Sequence, residues 1–316
     1  MSILITGANG FIGRAVCTAA LHAGERVTGA VRRPVALPTG VQPAMLSSDY
    51  GSAAWHALLS QHRVVIHTVA RVHIMNDPST DPLASFREVN TKGTWDLARQ
   101  AAAAGIRRFV FVSSVKVNGE ETEAHHPYTS ADSPAPQDPY GISKLEAEQG
   151  LHRIAKETGM EIVIIRPPLV YGPGVKANFA SLLRVLQRGI PLPLGGVTQN
   201  RRSLVALDNL VDLLITCVDH PAAANRTFMV SDGEDLSTAA LLRRMGMALG
   251  HPARLLPVPP ELLRLGAAVI GKRNLAQRLL GNLQVDITDT RQRLDWTPRI
   301  SVDEGLRRVA ADMVQR

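Results

Sequence analysis

Three side chains in this sequence have types and spacing that suit proton transfer: Ser114, Tyr140 and Lys144. Tyr140 and Lys144 stand four residues apart, in Tyr140-Gly141-Ile142-Ser143-Lys144, so on a helix they share one face, one turn apart. A tyrosine that moves a proton near neutral pH must be brought down from its ordinary value near 10. That takes about 4 kcal/mol of selective stabilisation of the phenolate, and an ammonium one turn away supplies part of it. Ser114 closes a Ser-Ser pair that follows the apolar run 108–112. A hydroxyl at the C-terminal end of a strand faces the crevice where open α/β sheets bind ligands. There it can hydrogen-bond a carbonyl or an alkoxide.

A partner for that proton is written at the start of the chain. Gly7-Ala8-Asn9-Gly10-Phe11-Ile12-Gly13 follows a short apolar strand and opens a helix. Glycines at these positions permit a tight turn and let the backbone approach a pyrophosphate, which then sits at the helix N-terminus. A three-glycine match alone arises by chance in roughly one chain in six of this glycine content, so its place between strand and helix supplies the specificity. The pattern predicts a nicotinamide dinucleotide, with Gly7, Gly10, Phe11, Ile12 and Gly13 around its phosphates. An acidic residue ending the second strand would bond the ribose hydroxyls of NAD. Here that strand ends Ala30-Val31-Arg32-Arg33. Guanidinium groups suit a 2′-phosphate, so Arg32 and Arg33 favour NADP(H), with NAD(H) as the alternative. No metal is expected.

The elements that must hold these residues read as alternating strands and helices. Residues 3–6, 26–31, 64–69, 108–112 and 162–165 are apolar runs of strand length. Residues 11–23, 89–104 and 141–158 have helical spacing, and each ends at a glycine. This alternation predicts a Rossmann-type, doubly wound α/β fold with a parallel sheet covered on both faces. After Pro167 the rhythm loosens. Asp208 reads as the cap of a helix to residue 218, 227–230 as a strand, and Ser237 as the cap of a helix to Gly250. The expected division is a dinucleotide-binding domain over 1–166 and a smaller lobe over 167–316, with some pieces returning to the sheet.

Composition sets the outer bounds. The chain has 316 residues, 45% hydrophobic and 20% charged, which suits an ordinary globular protein. No apolar run reaches about 18 residues, and no basic leader precedes the first strand, so neither membrane insertion nor a secretory signal is expected. Cys17 and Cys217 read as buried thiols in a reducing cytoplasm. The net charge of +7 raises the question of nucleic acid. The basic residues are scattered, 29 of the 35 are arginine, and aromatics make up 4%; no nucleic-acid site is expected.

With these residues in hand, the chain resembles the extended short-chain dehydrogenases/reductases, in particular their nucleotide-sugar epimerase, dehydratase and reductase group. Gly7, Gly10 and Gly13 match the family's glycine turn, and Ser114, Tyr140 and Lys144 fall at its catalytic positions. The resemblance implies further roles. Asp49-Tyr50 would meet adenine. His67-Thr68-Val69-Ala70-Arg71 would line the cofactor, Val69, Ala70 and Arg71 among its contacts, with Asn90 at a helix start and Pro167 on the nicotinamide side. Asn178 would meet the substrate diphosphate, Leu192 and Leu194 the uracil base, and Arg202 the diphosphate again; Lys116 would reach the substrate.

Lys116 and Asn118 stand where many UDP-galactose epimerases carry Thr and Tyr, and the second strand lacks their aspartate. These departures speak against a plain UDP-galactose epimerase, and the combination Ser113-Ser114-Val115-Lys116-Val117-Asn118-Gly119 with the stretch 160–212 resembles bacterial enzymes of O-antigen and lipopolysaccharide assembly. The expected reaction is therefore reduction of the 4-keto group of a UDP-4-keto-6-deoxy-N-acetylhexosamine. The alternatives are a UDP-hexose or UDP-N-acetylhexosamine 4-epimerase using the same residues, and a non-catalytic NADP-binding protein. The family also implies a homodimer through residues 90–104 and 141–158, whose apolar faces equally suit burial on the sheet.

Overall fold

The computed structural model describes residues 2–47, 49–50, 52–72, 81–175 and 177–314, the side chains of 177, 178 and 274 excepted. Among these, the strands are β1 (Ser2–Thr6), β2 (Arg26–Val31), β3 (Gln42–Met45), β4 (Val64–His67), β5 (Arg108–Val112), β6 (Glu161–Arg166), β7 (Leu169–Tyr171), β8 (Arg202–Ala206), β9 (Arg226–Met229) and β10 (Asp235–Leu236). Seven of them form one sheet in the order β3-β2-β1-β4-β5-β6-β9, every neighbouring pair parallel. This is the doubly wound Rossmann-type arrangement expected from the alternation of elements.

The strand sequences explain why both faces are covered. In β1, Ile3 and Ile5 point to one face and Leu4 to the other, and all three are fully buried. The first face packs on helices Phe11–His22 and Leu207–Thr216, through Val16, Cys17, Ala20, Leu210 and Leu214. The second packs on helices Gly93–Ala103 and Pro139–Thr158, through Leu97, Ala98, Ala101, Ala147 and Leu151. Both cysteines lie buried in the first layer as free thiols. At the N-terminal edge of the sheet, the buried Arg108 of β5 bonds Glu161 of β6 at 2.7 Å and the carbonyls of Cys217 and His220.

The chain after β6 builds a second layer but also returns to the first. β9 extends the large sheet beside β6. β7 and β8 pair in parallel, and β10 joins β8 antiparallel, under a separate core of Tyr171, Phe179, Leu183, Leu204, Leu242 and Leu306.

Several boundaries differ from the sequence reading for identifiable reasons. The strand expected over 64–69 ends at His67, because Thr68 turns back and donates its hydroxyl to the Thr6 carbonyl at 2.7 Å. The helix expected from 89 begins at Pro82, capped by Asp81, and passes through a π turn at Arg87–Lys92. Asp208 is not a cap. Helix Leu207–Thr216 starts directly from β8 behind Ala206, and Asp208 sits in its first turn paired with Arg308 at 2.9 Å. Ser237 does cap its helix, accepting from the Ala240 amide.

One buried ion pair ties the layers together. Glu148, on helix Pro139–Thr158, accepts two bonds from Arg166 at the end of β6 and one from Ser113 beyond β5. Arg166 also donates to Asn118 at 3.1 Å. Glu148 and Arg166 are 2% and 5% exposed, so neither charge has water as a substitute partner. Glu148→Gln leaves Arg166 buried without its counter-charge and lowers the unfolding free energy by about 3 kcal/mol or more. Urea unfolding at neutral pH checks this through the transition midpoint.

Candidate active site

Because the sheet is parallel, its strands end on the same side, and the expected site residues follow those ends in turn. Gly7 to Gly13 follow β1, Arg32 and Arg33 follow β2, and Asp49 and Tyr50 come shortly after β3. Val69, Ala70 and Arg71 follow β4, Ser114 and Lys116 follow β5, and Pro167 follows β6.

The glycine turn has no room for side chains. Gly7 adopts φ +72°, and its amide oxygen accepts from Gly10 at 2.8 Å. A Cβ on Gly13 would lie 2.1 Å from that same oxygen. Gly10 caps the first helix without any side-chain acceptor, so the first-turn N–H groups are left for an anion. Phe11 and Ile12 pack partly into the layer behind. This geometry fits a dinucleotide pyrophosphate. Gly13→Ala forces the turn open and lowers NAD affinity at least about tenfold, read by calorimetric titration.

Tyr50, expected to meet adenine, packs on Trp55 with ring centroids 5.0 Å apart. Burial pushes its hydroxyl up, and the Arg32 guanidinium acts against that, so Arg32 lies within electrostatic reach of Tyr50. Arg33 is exposed, as is Asp49, whose backbone closes a short turn with Ser47 and Ser52.

Tyr140 and Lys144 lie on helix Pro139–Thr158 as the spacing requires. Asp138 caps this helix through the Gly141 amide at 2.6 Å. The other Asp138 oxygen binds Lys116, which also pairs with Glu120 at 2.7 Å. Lys116 thus holds the helix start through its carboxylate cap. Ser114 faces Tyr140, and its hydroxyl oxygen also accepts the Lys116 amide at 3.2 Å. Tyr140 packs edge-on against Phe86, which lies under the Arg71 guanidinium.

Asn90, buried in the π turn, joins three segments. Its amide donates to the Arg71 carbonyl and to Ser143, and its oxygen accepts the Arg71 amide. Thr91 adds a bond to the Ser143 carbonyl at 2.9 Å. The loop after β4 is thereby fastened to the turn of helix between Tyr140 and Lys144.

The electrostatics depart from the expectation that Lys144 brings Tyr140 down. Lys144 is buried, donates to the Val112 carbonyl at 2.9 Å and lies 4.4 Å over the Phe111 ring. Burial lowers it to about 7, with Glu148 one turn below opposing the shift. Tyr140 is pushed up to about 12 by burial and by Asp138, with a hydrogen bond from Ser114 acting against both. A lysine whose burial disfavours its charged form is a weaker source of positive charge than an exposed one.

His67 sits below this set, bonded to Thr6 and Thr94 and stacked on Phe111. Thr94 gives its own proton to the Asn90 carbonyl, so Nε2 of His67 donates to Thr94 and Nδ1 accepts from Thr6. Burial lowers it to about 3, so it stays neutral.

Leu192, Leu194 and Arg202, expected to meet the substrate, lie in the second layer. Leu194 is buried in its core, and the Leu192 backbone pairs with Leu255. Arg202 begins β8 and donates to the Gly281 carbonyl at 3.2 Å. The side chain of Asn178 lies outside the described residues. A cavity of about 550 Å³, lined by Glu121, His125, His126, Tyr128 and Asp132 among others, opens on the loop between β5 and Tyr140. It does not include Ser114, Tyr140 or Lys144.

The sequence reading missed Glu148, Arg166 and Asp138 as parts of this site. Glu148 was findable, since Tyr140, Lys144 and Glu148 recur at every fourth residue on one helix face. In the protein alone, burial and Asp138 push the Tyr140 hydroxyl up to about 12. An oxidised nicotinamide dinucleotide, if bound near Tyr140, would add positive charge and move that titration downward. The difference in phenolate absorbance between wild type and Tyr140→Phe, with and without NAD⁺, checks both statements.

Residues 3–231 match the model of the family described as "NAD dependent epimerase/dehydratase family". The chain is 47% identical, over 99% of its length and 96% of the relative's, to a UDP-glucose 4-epimerase of Vibrio cholerae. Among solved structures it is similar to the UDP-N-acetylglucosamine 4-epimerase of Bacillus cereus, at TM-score 0.82 and 18% identity over 99% of both chains. It is also similar to the UDP-glucuronic acid 4-epimerase of Bacillus cereus in complex with NAD, at TM-score 0.79 and 20% identity over 100% of this chain and 97% of that one. Fold, glycine turn and these similarities converge: the chain is an enzyme of the NAD dependent epimerase/dehydratase family, within the extended short-chain dehydrogenases/reductases.

Proposed function

We propose that this chain is a UDP-sugar 4-epimerase, with UDP-glucose and UDP-galactose as its first candidate pair. One observation carries the reading. Ser114, Tyr140 and Lys144 stand together in a chain 47% identical, nearly end to end, with a UDP-glucose 4-epimerase. The 4-keto reduction expected from residues 113–119 with the stretch 160–212 gains no support from these relatives, which are named as 4-epimerases. Lys116 is paired with Glu120 and Asp138, and the Asn118 amide oxygen is held by Arg166. Both residues therefore have partners inside the fold.

A nicotinamide dinucleotide, when bound, supplies reversible acceptance of the C4 hydrogen with its electron pair. The protein's own residues do the rest. Tyr140 takes the C4 hydroxyl proton and later returns it. Ser114 donates a hydrogen bond to the C4 oxygen and holds it within reach of Tyr140. Lys144 keeps a proton donor one helical turn from Tyr140, fixed by the Val112 carbonyl. Phe86 and Phe111 keep the set in apolar surroundings, where a fixed dipole acts more strongly than in water. Asn178 and Arg202 carry the substrate diphosphate in this reading, and Leu192 and Leu194 the base.

The cofactor of this reading is NAD. The family description and the complexed neighbour name NAD, and the expectation of NADP(H) from Arg32 and Arg33 gains no support from either. The same reading carries a cytoplasmic homodimer.

Incubation with UDP-glucose and catalytic NAD⁺ is expected to yield UDP-galactose without net change in NADH absorbance. Stoichiometric loss of NADPH with a UDP-4-keto-6-deoxy-N-acetylhexosamine, and no epimer from UDP-glucose or UDP-N-acetylglucosamine, would restore the reductase in its place. Tyr140→Phe lowers turnover by about 10²- to 10⁴-fold while NAD still binds. Near-full turnover in that variant would remove Tyr140 from the acid/base role.

A further inference from the structure

The helical hairpin over residues 260–280 takes no part in the chemistry above. Its first helix, Pro260–Val269, contains no buried residue. Leu263 packs partly against the core of the second layer. Leu262, Leu265 and Val269, at positions i, i+3 and i+7, form a different stripe, and they are 59%, 64% and 81% exposed. Ile270, at the tip between this helix and Arg273–Leu280, is 69% exposed. Three large aliphatic side chains therefore stand in one exposed row, and Ile270 adds a fourth exposed aliphatic side chain at its end. Monomeric proteins rarely leave such a row in water without a use for it.

The segment that carries the row is basic, with Arg278 within electrostatic reach of Arg202. Residues 254–278 hold five basic side chains, Arg254, Arg264, Lys272, Arg273 and Arg278, and one acidic, Glu261. This short segment thus carries a net +4 of the chain's +7. Glu261 lies at the far end of the helix from the tip and 4.0 Å from Arg264. Lys272 and Arg273 directly follow the apolar tip Val269-Ile270-Gly271, where Gly271 turns the chain at φ +67°. A convex apolar row next to cations matches a surface that is apolar beneath and anionic above. A second copy of this chain would set the same segment of net charge +4 against itself, which like-charge repulsion opposes.

We propose that the hairpin 260–280 docks this enzyme peripherally on an anionic phospholipid bilayer. Leu262, Leu265, Val269 and Ile270 enter the headgroup–acyl boundary, and Lys272 and Arg273 contact lipid phosphates. Nothing crosses the bilayer: no described helix is long and apolar enough to do so. The proposal is independent of which sugar nucleotide is turned over.

The test is co-sedimentation of the full chain with vesicles of phosphatidylcholine alone and of phosphatidylcholine rich in phosphatidylglycerol. The wild type is expected on the anionic vesicles, with binding that weakens as salt is raised. Leu265→Asp with Val269→Asp is expected to lower the partition coefficient about tenfold or more. Lys272→Glu with Arg273→Glu removes two attractive charges, each worth about fivefold in binding. Both variants keep the wild-type circular dichroism spectrum and turnover. Absence of binding to anionic vesicles, or equal binding to both lipids, overturns the proposal. So does a wild-type oligomer that Leu265→Asp with Val269→Asp dissociates in the absence of lipid, which assigns the row to a second copy.

Discussion

The buried pair of Glu148 and Arg166 is the constraint on which the rest of the site depends. It joins the end of β6 to the long helix and, through Ser113 and Asn118, to the segment leaving β5. Ser114 is the next residue along that segment, and Lys144 lies one turn above Glu148 on that helix. Two charges removed from water tolerate little displacement, since any lengthening of their bonds leaves desolvation uncompensated. The pair thus sets the distance between the strand ends and the helix face that carries Tyr140. A buried ion pair is poor evidence of net stability, because well-packed apolar side chains often do as well. Its value here is positional.

The site is a consequence of parallel pairing more than of any one loop. Parallel strands bring their C-terminal ends to a single edge, so a glycine turn at residue 7 and a serine at residue 114 share one crevice. The opposite edge is fastened by Arg108, Glu161 and the carbonyls of Cys217 and His220. One edge is thus given to structure and the other to ligand. The burial that makes the ligand edge selective also moves its titrating groups away from their ordinary values. Tyr140 holds its proton more tightly and Lys144 less tightly, which makes the charge of a bound dinucleotide part of the acid/base system.

Much of this was legible in the residues. The strand–helix alternation, the glycine turn and the spacing of Tyr140 and Lys144 are local patterns, and local patterns survive in a sequence read alone. What was not legible depends on which side chains pair, near or far along the chain. Lys116 read as a substrate contact, yet its partners are Glu120 and Asp138. Asp208 read as a cap, yet β8 runs straight into its helix, and the carboxylate pairs with Arg308, a hundred residues later. β7, β8 and β10 are two to five residues long, too short for periodicity to show. Arg32 and Arg33 illustrate a different limit. Their guanidinium groups suit a phosphate, but a chain with 29 arginines places them in many positions without that purpose.

The π turn at Arg87–Lys92 carries a consequence for how this chain can vary. A π turn is an α-helix with one residue too many, and the surplus is what lets Asn90 reach both Arg71 and Ser143. Deleting one residue there would restore a regular helix and swing every following side chain through about a quarter turn. Leu97, Ala98 and Ala101 would then leave the sheet, and Asn90 would lose the loop after β4. The outer face of this helix is open to substitution, but its length is not. Changes of chain length in descendants of this protein have to accumulate elsewhere.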